Sequence, residues 1–207
     1  FGTGGSMDLG ITGLGTTKTI VFTAAPTLLP ASTGILPRVT VGGTDFATYS
    51  SGSLNAFTGY TSSINTAGAT NTVKLTASET LSTTATTRNA LVLAGPGVTA
   101  DSVNGAVLTL TSGGVLSSGS GTNTLGITNL ALGATEGLFH IGTGNTLDVQ
   151  GRITGSGGLT KALGGTLLLT ADQFYTGTTT VNTGTLRTTG FNKIFQNQAL
   201  VVNPGAT

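Results

Sequence analysis

The chain has 207 residues, only 7% of them charged, with eight basic against seven acidic side chains and a formal net charge of +1. That balance leaves no electrostatic footprint for nucleic acid or an anionic membrane. The absence of cysteine excludes a disulfide framework, a thiolate metal site and a cysteine nucleophile. A mean hydropathy of +0.28 is too apolar for an intrinsically disordered chain, and no run of eighteen apolar residues offers a helical membrane span. Glycine occurs 34 times and suits tight turns. Threonine, also frequent, is β-branched and favours strands.

Taken in order, Lys18–Thr23 reads as a strand ended by Pro26 and Pro30. In the block 34–49, Val39 and Val41 alternate before a Gly42-Gly43 turn. Residues 50–70 are polar and small, so an exposed excursion is expected near 45–70. Its aromatic residues Tyr49, Phe57 and Tyr60 allow two readings: a surface platform for sugars, or packing of the excursion onto the body. Residues 1–70 as a whole are expected to be the less regular coils of a solenoid.

From residue 71 to 207 the pattern regularises. Short apolar strands recur, and one leucine per strand proposes a core ladder of Leu75, Leu91, Leu108, Leu125, Leu147, Leu167 and Leu186. Repeats of about 20 residues with one small apolar strand each point to stacked coils. The expected fold is all-β, a right-handed parallel β-helix with coils of about 16–22 residues. Seven to ten coils at about 4.8 Å each would give a rod of roughly 40–50 Å. Alternation supports the ladder, because neighbours on a strand point to opposite faces. With Leu75, Phe139, Leu147 and Leu186 inward, Lys74, His140, Asp148 and Arg187 fall on the outer face. Helices are disfavoured by glycine every few residues, at about 1 kcal/mol each. A β-sandwich would want longer strands and more hairpin signals than the one Asn104-Gly105.

The clearest repeat is 155–189. There Gly157-Gly158-Leu159-Thr160-Lys161, a Gly165-Thr166-Leu167 strand, the turn Tyr175-Thr176-Gly177-Thr178-Thr179 and a second Gly184-Thr185-Leu186 strand follow one another. This stretch resembles the autotransporter-associated β-strand repeat (the passenger-associated transport repeat). Ala162-Leu163-Gly164 departs slightly from the family's small turn. The block 34–49 also resembles a segment found between repeats in large surface proteins of planctomycete and verrucomicrobial type. The resemblance implies export, an extracellular or cell-surface location and a β-helical passenger region. It also implies a continuation, since the family follows a Pro-Gly-Ala-Thr turn like 204–207 with another strand. The chain is accordingly expected to be a segment of a longer protein, without a polar cap at either end: 185–207 carries only Arg187 and Lys193 as charges.

No chemistry-bearing constellation emerges. His140 is the single histidine and lacks the convergent ligands a metal needs, so an exposed strand histidine is expected. Asp148 and Asp172 lie about one coil apart, as a glycosidase pair would require, but Asp172 falls in a turn where capping suits it better. The glycine runs lack the Gly-Lys-Ser/Thr of a phosphate loop. The expected function is a structural module of a large bacterial surface protein, a stalk or spacer that self-associates through end-to-end copies or further coils. The competing readings are an adhesin that binds surface glycans and, behind it, a polysaccharide-active enzyme. No catalytic residue, cofactor, metal, nucleic-acid partner or membrane insertion is expected.

Overall fold

The computed structural model describes residues 3–14, 16–189, 194 and 198–207, so Lys193 lies outside the described residues. The first four strands are β1 (Met7–Leu9), β2 (Leu36–Val41), β3 (Asp45–Ser50) and β4 (Ser53–Ala56), forming one sheet in that order. β1 joins β2 in parallel, whereas β2–β3 and β3–β4 are antiparallel. The second hairpin turns on Ser51 and Gly52, both at positive φ (52° and 74°), the geometry that matches the natural twist of a two-residue hairpin. Residues 36–56 are therefore hairpins rather than less regular solenoid coils. Hairpins send the chain back on itself, and the first part of the expected excursion near 45–70 is β3 and β4 of this sheet, with Phe46, Ala47 and Leu54 fully buried. Lys18–Thr23 forms no strand; it meets β4 through the Leu54 N–H, which donates to the Ile20 carbonyl at 2.9 Å.

The solenoid follows. Its strands run three to a coil: β5 (Thr72–Leu75), β6 (Glu79–Leu81) and β7 (Ala85–Arg88); then β8 (Ala90–Ala94), β9 (Thr99–Ser102) and β10 (Val107–Leu110). Next come β11 (Gly114–Ser118), β12 (Gly121–Leu125) and β13 (Asn129–Ala131), then β14 (Gly137–Ile141), β15 (Asn145–Val149) and β16 (Arg152–Gly155). The series continues with β17 (Leu159–Ala162), β18 (Thr166–Leu169) and β19 (Phe174–Tyr175), then β20 (Thr179–Val181) and β21 (Thr185–Thr188), while β22 (Leu200–Val202) stacks on β20 as the first strand of a further coil. Up to β21 every third strand stacks in parallel, and β22 stacks on β20, giving sheets of seven, six and five strands that wind through about six turns. At about 4.8 Å per coil the rod is roughly 30 Å long, shorter than the seven to ten coils expected.

Inward side chains form columns. The longest runs Val73, Leu91, Val115, Phe139, Lys161, Val181 and Val202 along the seven-stranded sheet. Successive members are 18 to 24 residues apart, because corner loops vary while the strands stay in register. Some corners leave no space for a side chain. A Cβ on Gly151 would lie 1.7 Å from the Ile127 carbonyl oxygen of the coil before, so glycine is required by close backbone approach.

Candidate functional site

The seven ladder leucines do not stand in one file. Leu147, Leu167 and Leu186 do stack rung on rung, but the rung beneath Leu147 is Asn123, and Leu125 stacks under Val149. Leu75 and Leu91 belong to the seven-stranded sheet, and Leu108 to the five-stranded one. Each coil carries three short strands, and one leucine per coil samples different walls. All seven nevertheless border the same apolar core, six buried within it and Leu186 packed against its edge.

The aromatic trio is not a platform. Tyr49 lies with Phe22 (ring centroids 5.6 Å) in the outer cluster with Ala47 and Leu54, and its hydroxyl donates to the Gly52 carbonyl. Phe57 and Tyr60 meet edge to face at 4.9 Å in a separate cluster between the N-terminal sheet and the solenoid. The Tyr60 hydroxyl accepts the Phe46 N–H, and Lys74 sits over its ring. Alternation along β3 sends Phe46 and Tyr49 to opposite faces.

The two ends of the rod differ. At the N-terminal end, residues 61–71 lie across the core mouth, with Ile64 fully buried and Ala67 nearly so. Two charged residues of the first coil clamp this plug. The Glu79 carboxylate accepts from the Ser63 hydroxyl (2.5 Å), the Ile64 N–H (2.7 Å) and the Asn65 amide (2.9 Å). Burial alone would raise the Glu79 pKa, but these donors outweigh it and hold it below the usual value. Arg88 donates to the Ile64 and Asn65 carbonyls. So this end is capped, contrary to the expectation. At the other end β22 has no strand beyond it among the described residues. Leu200, Val201 and Val202 are 53%, 44% and 49% exposed, although Leu200 and Val202 continue inward columns. Thr179 N–H donates to the Ala199 carbonyl, and Asn203 N–H to the Val181 carbonyl. By the parallel alternation, residues 199, 201 and 203 face β20, and the N–H and C=O of Leu200 and Val202 face the open side.

Along the flank of the seven-stranded sheet, the N-terminal sheet is clasped to the coils. Glu136 is the hub, accepting from Arg38 (2.5 Å), the Gly4 N–H (3.0 Å) and the Thr160 hydroxyl. Asn182 donates to the Gly4 carbonyl and the Ser6 hydroxyl, and Lys74 pairs with Asp45 at 2.7 Å. His140, expected to be exposed, is 1% exposed under this sheet. Alternation puts it outside the coil; the covering layer comes from a distant part of the chain, Pro37 lying 103 residues away, which no local pattern reveals.

Lys161 is the residue that alternation should have flagged. It shares a strand face with Leu159 and points inward, 0% exposed, donating to the carbonyls of Ala162, Leu163 and Thr183 (3.2 Å to Ala162, 3.0 Å to Thr183). Burial pulls its pKa down to about 8. Asp148 lies beside Leu168 of the next coil, and its carboxylate accepts from Thr170 (3.0 Å) and Gln150 (2.8 Å). Asp172 sits exposed past the end of β18. Among the described residues no group of three or more His, Cys, Asp or Glu side chains is placed to hold a metal ion, and no helix is long and apolar enough to cross a membrane.

No family model, no curated protein and no solved structure matches this chain.

Proposed function

We propose that the chain is a structural module of a large extracellular bacterial surface protein, a rigid β-helical stalk that grows by adding strands at the β22 edge. The supporting observation is the asymmetry of its ends: the first coil is plugged by Ile64 and clamped by Glu79 and Arg88, while β22, paired to β20 on one side, has an apolar outer edge with no partner strand among the described residues. Unpaired strand edges recruit further strands. The next strand comes from further coils of the same chain or from another copy. Head-to-tail stacking of copies is disfavoured by the plug, so copies of this chain would join through their open edges. The surface location rests on the resemblance of 157–186 to autotransporter-associated repeats. The module is assigned no catalytic step and no cofactor, since its acids are spent on structural hydrogen bonds such as those of Glu136, Glu79 and Asp148. The alternative is an adhesin that binds surface glycans, for which Tyr49, Phe57 and Tyr60 do not form one joint surface.

Limited proteolysis tests the stalk role. Coils stacked without breaks should survive as one fragment spanning 72–188. Early cleavage inside β8–β18 would contradict a stiff spacer, and saturable binding on a glycan array would favour the adhesin.

A further inference from the structure

His140 stands on the outer face of β14 in the column Val92, Leu116, His140 and Ala162. The N-terminal sheet covers this column. Ile35 and Phe46 pack on Val92 and Leu116, and the Phe46 ring meets the imidazole edge to face at 5.8 Å. Nε2 lies 2.8 Å from the Pro37 carbonyl oxygen. A carbonyl only accepts, so Nε2 carries the proton and Nδ1 the lone pair. Nδ1 is buried with no hydrogen-bond partner. The neutral ring tolerates this; an imidazolium would bury a second N–H with nothing to receive it, which is costly in a dry contact.

Three charged groups act on the ring. Asp8 on β1 favours its charging, whereas Arg38 on β2 and Lys161 on β17 oppose it; Glu136, just before β14, is engaged by Arg38, Gly4 and Thr160. Desolvation dominates and pulls the imidazole from 6.5 to about 4. Lys74–Asp45 and Arg38–Glu136 are the two ion pairs of the same contact, and neither involves the imidazole.

We infer that the N-terminal sheet is an acid-released clasp: protonation of His140 drives β1–β4 off the solenoid while the coils stay folded. Release uncovers Val92, Leu116 and Phe46 as an apolar patch. The sign follows from linkage. The folded pKa lies below the unfolded one, so the docked state loses ground as pH falls from about 6.5 to about 4, by about tenfold per pH unit in the docking equilibrium, and no further below.

Hydrogen exchange read by mass spectrometry across that window, corrected for intrinsic rates, tests it. Protection of β1–β4 should fall about tenfold per pH unit, once docking is the opening that limits exchange, while β8, β11, β14 and β17 keep theirs. In His140→Leu, which repeats the Leu116 rung, and in His140→Gln, protection of β1–β4 should lack that tenfold-per-unit fall. Parallel loss in sheet and coils, or the same pH profile in wild type and both variants, would overturn the clasp.

Discussion

Individual side chains divide by the face they occupy, and substitutions should follow that division. Leu167 is 0% exposed between Leu147 and Leu186. Leu167→Ala should cost roughly 2–5 kcal/mol in denaturant unfolding, as cavity-forming changes do. Arg187, which follows Leu186 and pairs with Leu168, is exposed, and Arg187→Ser should cost within about 0.5 kcal/mol. Equal costs would mean that the in/out assignment is wrong. Lys161 poses a sharper question, since a buried cation without a carboxylate ordinarily destabilises. Its ammonium satisfies carbonyls at the corner between β17 and β18, and across to Thr183 in the next coil. Those bonds are charge-assisted. Lys161→Met keeps the volume but orphans the carbonyls, so a loss of about 1–3 kcal/mol is expected. A gain in stability would show that desolvation outweighs the hydrogen bonds.

Among the elements, the strands differ in how readable they were. β8 and β22 coincide with the apolar runs Ala90–Ala94 and Leu200–Val202. β9, β13 and β16 carry a single buried residue each, Ala100, Leu130 and Ile153, and so left no run to detect. Without them the three walls of a coil cannot be told apart, and a ladder of one leucine per repeat runs through all three. The plug was equally hidden: Ile64 is one apolar residue in a polar segment, and its clamps Glu79 and Arg88 lie 15 and 24 positions away. The candidate site was legible only where it followed alternation, as at Asp148, and at β22 itself. The Glu136 hub joins residues up to 132 apart and has no sequence signature. The plug makes its own forecast. Glu79→Ala leaves the Ile64 N–H and the Ser63 hydroxyl without their acceptor, so exchange should rise in residues 61–71 and β5–β7. Exchange in β17–β21, several coils away, should not change, because solenoid coils communicate through nearest neighbours. Uniform loosening along the rod would contradict that locality.

The described residues form a short rod with a plugged first coil, a clasped flank and a β22 edge that no described strand covers. Sparse charge, 7% of residues, leaves little repulsion to keep two open edges apart. The β22 edge can be blocked without disturbing its attachment, because the Val202 N–H faces away from β20. Proline removes that donor and is tolerated on an edge strand with its N–H side outward. Sedimentation velocity of the 207-residue chain across a concentration series, beside Val202→Pro, is the most direct test. The account predicts that the wild type shifts from a 20.4 kDa species to a dimer joined by its open edges as concentration rises, while Val202→Pro, folded to the same circular dichroism spectrum, stays at the smaller size. A wild type that remains a single 20.4 kDa species at the highest concentration, or a variant that associates equally well, would contradict strand addition at this edge.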